Sequence, residues 1–207
     1  PAPVSAMLSG ALLPCAFLSI LRIYHICAAA GDVVFVSRPL IWIGLFSMAV
    51  ACVFLVGQRD FKRMLAYSSV EHMGILAMGL GIGAPALFGT LLHVLTHGLT
   101  KGVLFLSAGN IYQAYGSKST EQVSGAMRRL PLSGTFFLVG FFAITGSPPF
   151  GPFISEFSIL NGAFDAGRYV TGGLFLFLLL AVFIGMGATV LKVVQGRASF
   201  AARNRPY

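Results

Sequence analysis

Long apolar runs separated by short polar breaks organise this chain. Six runs stand out, at residues 4–21, 39–57, 64–83, 85–110, 131–164 and 169–194. The fifth is interrupted by Pro and Gly. A helix that crosses a bilayer needs about 20 predominantly apolar residues, whereas a membrane barrel strand needs about 10 with strict alternation. The pattern therefore predicts an all-α, polytopic transmembrane helix bundle of about six spans, one of them broken. The bundle is expected over residues 1–195, with a basic cytoplasmic tail over 196–207. No fixed-period repeat and no low-complexity tract interrupts it. The longest polar stretch, residues 112–130, fits an amphipathic segment lying along the membrane surface.

Composition agrees with this pattern. Of 207 residues, 57% are hydrophobic and only 10% are charged. A soluble domain carries about a quarter charged residues, so an ordinary soluble enzyme, a disordered tail and a nucleic-acid-binding domain are all excluded. The net charge is +8, but the basic residues fall between apolar runs, where they set orientation. Arg59, Lys62, Arg63, Lys118, Arg128, Arg129, Lys192, Arg197, Arg203 and Arg205 fall on one side of a six-span topology. Arg22, Arg38 and Arg168 fall on the other. The basic side is expected to be cytoplasmic, with both ends of this segment on it, in the cytoplasmic (inner) membrane. The chain begins at Pro1 with no charged-then-apolar cleavage pattern, so no signal peptide is expected. Cys15, Cys27 and Cys52 have no metal or haem spacing and read as small apolar residues.

One basic residue is left, Lys101, inside the fourth run. His93, His97 and Lys101 stand at i, i+4 and i+8, so they share one helix face, with successive residues about 6 Å apart along the axis. Thr96 and Thr100 flank that stripe. Ionisable groups at membrane depth cost a few kcal/mol and usually face a bundle interior or a wet cavity. Histidine, and a lysine whose environment disfavours its charge, can both exchange protons near neutrality. The stripe is therefore a candidate proton relay. Two His on one face could share a metal, but no acidic residue follows in an HExxH pattern and no Cys is near. Haem would need ligands on opposite faces. No metal and no cofactor is expected.

Two further places carry ionisable groups. Glu71 and His72 lie about two turns into the third run. They either join the same polar axis or form a helix-end pair near the headgroups. In the fifth run, Thr145-Gly146-Ser147-Pro148-Pro149-Phe150-Gly151-Pro152 removes three backbone donors and breaks the helix. Broken helices at membrane depth line cavities or lie buried in protein. Glu156 follows at once and reads as an intramembrane carboxylate; the alternative is a Pro-rich loop with Glu156 at its surface. No phosphate loop, dinucleotide fingerprint, iron–sulfur Cys pattern or nucleophile constellation is present, so no catalytic redox site is expected in this chain.

These residues carry a resemblance. The relevant stretches are Ala2-Pro3-Val4-Ser5-Ala6, Asp60 through Ser69, His93-xxx-His97-xxx-Lys101 with Leu104 through Gly109, and Ser155-Glu156-Phe157-Ser158-Ile159-Leu160. Together they resemble the antiporter-like membrane subunits shared by respiratory complex I, membrane-bound hydrogenases and multisubunit cation/proton antiporters. Ser69-Val70-Glu71-His72-Met73-Gly74 and the Thr145–Pro152 stretch look most like the hydrogenase-4 component F type. The resemblance implies that Lys101 is the central lysine of a proton axis, with His93 and His97 as relay residues beside it. It makes Glu156 the carboxylate on the broken helix. It also implies partners: other membrane and peripheral subunits of a hydrogenase or complex I-like assembly, within the lipid bilayer. Many relatives place a His or Lys in the first span, where this chain has Ser9 and Pro14. Complete members also carry a preceding bundle with its own lysine and glutamate. The resemblance thus assigns these residues to the C-terminal part of such a subunit, which would not complete a pumping cycle alone. The expected function is proton translocation in a redox complex. The alternatives are a sodium/proton antiporter subunit and a truncated membrane anchor for a peripheral oxidoreductase arm.

Overall fold

The structure is a computed structural model, and it describes residues 2–196. Its elements are α1 (Ala2–Met7), a π-helical turn (Leu8–Leu12), α2 (Leu13–Ala29), α3 (Val33–Leu55), α4 (Phe61–Ile82), α5 (Ala84–Tyr115), α6 (Ala126–Arg129), α7 (Pro131–Ile144), α8 (Gly151–Asp165) and α9 (Tyr169–Gln195). Among the described residues, extended pairing is confined to one bridge, Asp60–Ser119.

Among the described residues, four helices are long and apolar enough to cross a membrane: Ala2–Ala29, Val33–Leu55, Ala84–Tyr115 and Tyr169–Gln195. Helix α4 has 22 residues but is less apolar, because Ser68, Ser69, Glu71 and His72 occupy its middle. Helices α7 and α8, of 14 and 15 residues, make the fifth crossing only together. The six expected runs are thus six crossings, with ends extended by a few residues. The first helix starts at Ala2 and the second at Val33, with Pro39 inside it.

Local chemistry fixes the ends. The Asp60 side chain accepts from the backbone N–H of Lys62 (2.8 Å) and Arg63 (3.1 Å), capping α4. Helix α5 stops at Gly116, whose φ of 69° is left-handed, a conformation glycine adopts without penalty. The segment over residues 112–130, expected to lie amphipathically along the membrane surface, is only partly helical. Helix α5 runs on to Tyr115, and the rest is a loop with the single-turn α6. Gly116, Gly125 and Pro131 leave no apolar face long enough for a surface helix. That loop is pinned to the α4 start instead: Phe61 N–H donates to the Lys118 carbonyl (3.2 Å) and Thr120 N–H to the Arg59 carbonyl (2.8 Å). The Thr189 hydroxyl donates to the Gln58 carbonyl (3.2 Å). Arg59, Lys118 and the C-terminal part of α9 therefore share one end of the bundle. The basic tail expected at 196–207 lies, from residue 197 on, outside the described residues.

Helix packing depends on missing side chains. A Cβ on Gly44 would stand 2.6 Å from the Gly74 carbonyl oxygen, and a Cβ on Gly74 2.6 Å from that of Gly44. Helices α3 and α4 thus approach backbone to backbone, the small-residue packing by which membrane helices associate. Phe61, Met64, Leu65, Leu104, Phe137 and Phe141 form one core at the basic end; Ile41, Met48, Ile75, Ile159 and Phe175 form another. The polar residues lie between helices α4, α5 and α8.

Candidate functional site

Glu71, His72, His93, His97, Lys101 and Glu156 are all buried; the most exposed, Glu156, shows 5% of its surface. The open question about Glu71 and His72 is answered: they lie in the interior, not at a helix end. Helix α4 supplies Glu71 and His72, α5 supplies His93, His97 and Lys101, and α8 supplies Glu156.

Glycines bring these helices together. A Cβ on Gly89 would lie 2.7 Å from the Ser155 carbonyl oxygen, and one on Gly162 would lie 2.7 Å from the Ala86 nitrogen. Helix α8 therefore lies against the first half of α5. Gly89 is one turn before His93, so this contact sets Ser155 beside the His93 ring. At the other flank a Cβ on Gly98 would lie 2.7 Å from the Gly10 carbonyl oxygen. Pro14 has no N–H to offer that carbonyl, and the first helix widens into its π-turn at Leu8–Leu12. Such turns are frequent at functional sites.

A hydrogen-bonded chain crosses the three helices. His72 Nδ1 and His93 Nε2 stand 2.9 Å apart, His93 Nδ1 and Ser155 Oγ 2.8 Å apart, and Ser155 donates to the Pro152 carbonyl at 2.8 Å. The carbonyl can only accept, so the Ser155 proton is committed to it. His93 Nδ1–H must then donate to Ser155, its Nε2 must accept, and His72 Nδ1–H must be the donor to it. With neutral rings one tautomer follows for each, assigned from the network. The remaining nitrogen, His72 Nε2, faces Glu71 Oε2 at 3.7 Å. His97 lies against both rings, 4.7 Å from His72 and 6.1 Å from His93 between centroids. Neither of its nitrogens has a hydrogen-bond partner.

Lys101 is fully buried with its ammonium on α4: it donates to the Leu65 carbonyl at 2.8 Å and to Ser68 Oγ. Ser68 and Ser69 donate to the same carbonyl, each at 3.1 Å. Ser9 Oγ lies 2.7 Å from Ser69 Oγ, in hydrogen-bond contact. No carboxylate lies within ion-pair distance of Lys101 among the described residues. The charges of Glu71 and Lys101 nonetheless act on each other through space.

Glu156 stands apart from the hydrogen-bonded chain. Its Oε1 has no hydrogen-bond partner, and its carboxylate fills the space where Gly146 (φ 65°) lacks a Cβ. It lines a cavity of about 330 Å³ formed with Thr145, Pro148, Phe157 and Phe183. The α7–α8 break is thus a lined cavity with a buried carboxylate.

Sequence reasoning gave Ser155, Ser68, Ser69 and Ser9 no part as hydrogen-bond partners, although the first three lie in the stretches that carry the resemblance and Ser9 stands where many relatives have His or Lys. It also credited Thr96 and Thr100. Their hydroxyls donate to the Leu92 carbonyl (3.0 Å) and the Thr96 carbonyl (2.7 Å) of their own helix, so they do not enter the axis. The expectation of no metal ligands rested on two His of one helix with no third ligand beside them. The fold adds His72, and ligand nitrogens of all three His lie within 4.8 Å of one another.

Fold and site together define a polytopic all-α membrane protein with a buried chain of ionisable groups across its helices. Residues 1–185 match the family described as "NADH:quinone oxidoreductase/Mrp antiporter, TM", and the chain belongs to that family. It is 40% identical over 197 residues to the hydrogenase-4 component F homolog of Methylacidiphilum infernorum, covering 94% of this chain and 40% of that protein. It is 34% identical over 172 residues to NADH-quinone oxidoreductase subunit N of Desulforudis audaxviator, covering 82% and 34%. Among solved structures it superposes on a chain of the Mrp complex from Dietzia sp. with a TM-score of 0.82 at 27% identity, over 94% of this chain and 36% of that one. The chain thus spans roughly two fifths or less of the length of these relatives.

Proposed function

We propose that this chain is the C-terminal part of a proton-translocating membrane subunit of a redox complex, hydrogenase-linked, whose electron chemistry is on partner subunits. Protons move among Lys101, Glu71, His72, His97 and His93 and leave by Glu156. The observation that carries this reading is the unbroken contact His72–His93–Ser155 across α4, α5 and α8, beside a lysine that is fully buried and held by neutral oxygens alone. A purely structural span would be more stable with apolar residues at these positions. The similarity to hydrogenase-4 component F supports the hydrogenase link.

Coupling follows from charge. A proton on Lys101 is favoured when Glu71 is ionised and disfavoured when Glu71 is neutral. A change that shifts Glu71 therefore shifts Lys101, as differential stabilisation of two protonation states. The described bundle is one unit. It lies in the cytoplasmic membrane with its basic end, and both ends of this segment, in the cytoplasm; the grouping of Arg59, Lys118 and Lys192 at one end supports this.

The test is Lys101→Ala in the full-length subunit within its complex. Redox turnover should continue, and proton translocation into inverted membrane vesicles should collapse. Unchanged translocation would remove the relay reading and favour a membrane anchor. The likeness to an Mrp complex favours a second reading, sodium/proton exchange. Sodium-dependent proton flux without a redox substrate would select it.

A further inference from the structure

We propose that His72, His93 and His97 form a binding site for a divalent transition metal of the zinc class, and that a bound metal plugs the proton axis. The plug rests on the relay reading; the binding does not.

Three imidazoles and no carboxylate among the ligand atoms suit zinc, copper or nickel, and not magnesium or calcium. In a tetrahedral zinc site with bonds of about 2.0–2.1 Å, neighbouring ligand nitrogens lie about 3.3 Å apart. His72 Nδ1 and His93 Nε2 are now 2.9 Å apart, so a metal enters by replacing the proton they share with only a small separation of the rings. The third nitrogen lies within 4.8 Å and belongs to His97, the one ring of the three with no hydrogen bond to lose. A ring turn that closes this gap breaks neither the His72–His93 nor the His93–Ser155 hydrogen bond.

The outer shell is already in place. Metal-bound His donates its other N–H to a carboxylate, a carbonyl or a similar acceptor. His93 Nδ1–H already donates to Ser155. When the metal takes His72 Nδ1, the proton there moves to Nε2, which faces Glu71 Oε2. Each ring stays neutral and no proton is left over. The Lys101 charge acts on both His72 and His97 and opposes a cation there.

The experiment uses the full-length subunit in its purified complex, with zinc chloride as the probe. Bound zinc is counted by equilibrium dialysis, and its ligands are read by X-ray absorption. The expected result is one zinc per subunit with imidazole scattering. His97→Ala should weaken that binding by about tenfold or more, Ser155→Ala by about 10- to 100-fold, and Lys101→Met should tighten it. If His97→Ala fails to assemble, His72→Gln is read in its place. Absence of imidazole-bound zinc in the unaltered complex overturns the proposal, as does binding indifferent to all of these substitutions. Zinc that binds at the histidines without slowing proton translocation overturns the plug and leaves the binding. A Lys101→Ala complex that still pumps removes the relay reading without touching the zinc measurement.

Discussion

His93 on α5 and Ser155 on α8 are joined by a hydrogen bond of 2.8 Å, and that bond decides which nitrogen of His93 carries its proton. Because the serine proton is committed to the Pro152 carbonyl, the polarity of the whole His72–His93 pair is set from α8. Ser155→Ala should leave the bundle folded and let the pair take either tautomer. A lost hydrogen bond of about 1 kcal/mol corresponds to roughly a fivefold effect. Proton translocation per redox turnover is expected to fall by about that much, and Ser155→Thr should restore it.

Gly89 holds α8 in place. A Cβ there would stand 2.7 Å from the Ser155 carbonyl and 2.8 Å from the Ser158 Cβ. Gly89→Ala is expected to cost about 1–3 kcal/mol of stability, as overpacking does, and to cut translocation by moving Ser155 off His93. Gly173 has nothing within 4 Å of its Cβ position, so Gly173→Ala is the control. Thermal unfolding of the complex and vesicle acidification check both.

Gly146 is required twice over. Its φ of 65° is left-handed, and its missing side chain is the room that the Glu156 carboxylate occupies. Gly146→Ala should abolish translocation as fully as Glu156→Gln does. The two should part in stability. Glu156→Gln keeps the shape and removes only a buried ionisable group, so its melting temperature should hold while that of Gly146→Ala falls.

Lys101→Met separates transport from stability. The Leu65 carbonyl keeps its bonds from Ser68 and Ser69 when the ammonium is gone, so no acceptor is orphaned. A buried charge costs a few kcal/mol in the bilayer. The variant is therefore expected to melt no lower than the parent, with translocation below about a tenth of the parent value, the scale of a single lost proton-transfer group or more.

Asp60→Ala should do the reverse. It removes the cap on the Lys62 and Arg63 N–H groups, which costs about 1 kcal/mol, but it touches none of the buried ionisable groups. A lowered melting temperature with unchanged translocation is the expected outcome.

The sequence by itself determined the crossings. Twenty-residue apolar runs have one solution in a bilayer, because every backbone group must be bonded within the helix. Pro148, Pro149 and Pro152 likewise fixed where the fifth crossing breaks, since a proline has no N–H for the helix. The i, i+4, i+8 stripe of His93, His97 and Lys101 was legible for the same reason: it is a property of one helix. What joins those residues to others was not. The sequence left Glu71 and His72 between two readings because only the approach of α4 to α5 buries them, and it placed no value on Ser155 because a serine beside a glutamate has no pattern of its own. The tertiary structure decided that Ser155, and not Glu156, meets His93. It also decided that Lys101 rests on Ser68 and the Leu65 carbonyl, and that three histidines converge. The physical reason is that these contacts are set by how closely helices approach. That approach depends on Gly10, Gly89, Gly98 and Gly162 lying opposite backbone of another helix, and pairing between helices leaves no period in the chain.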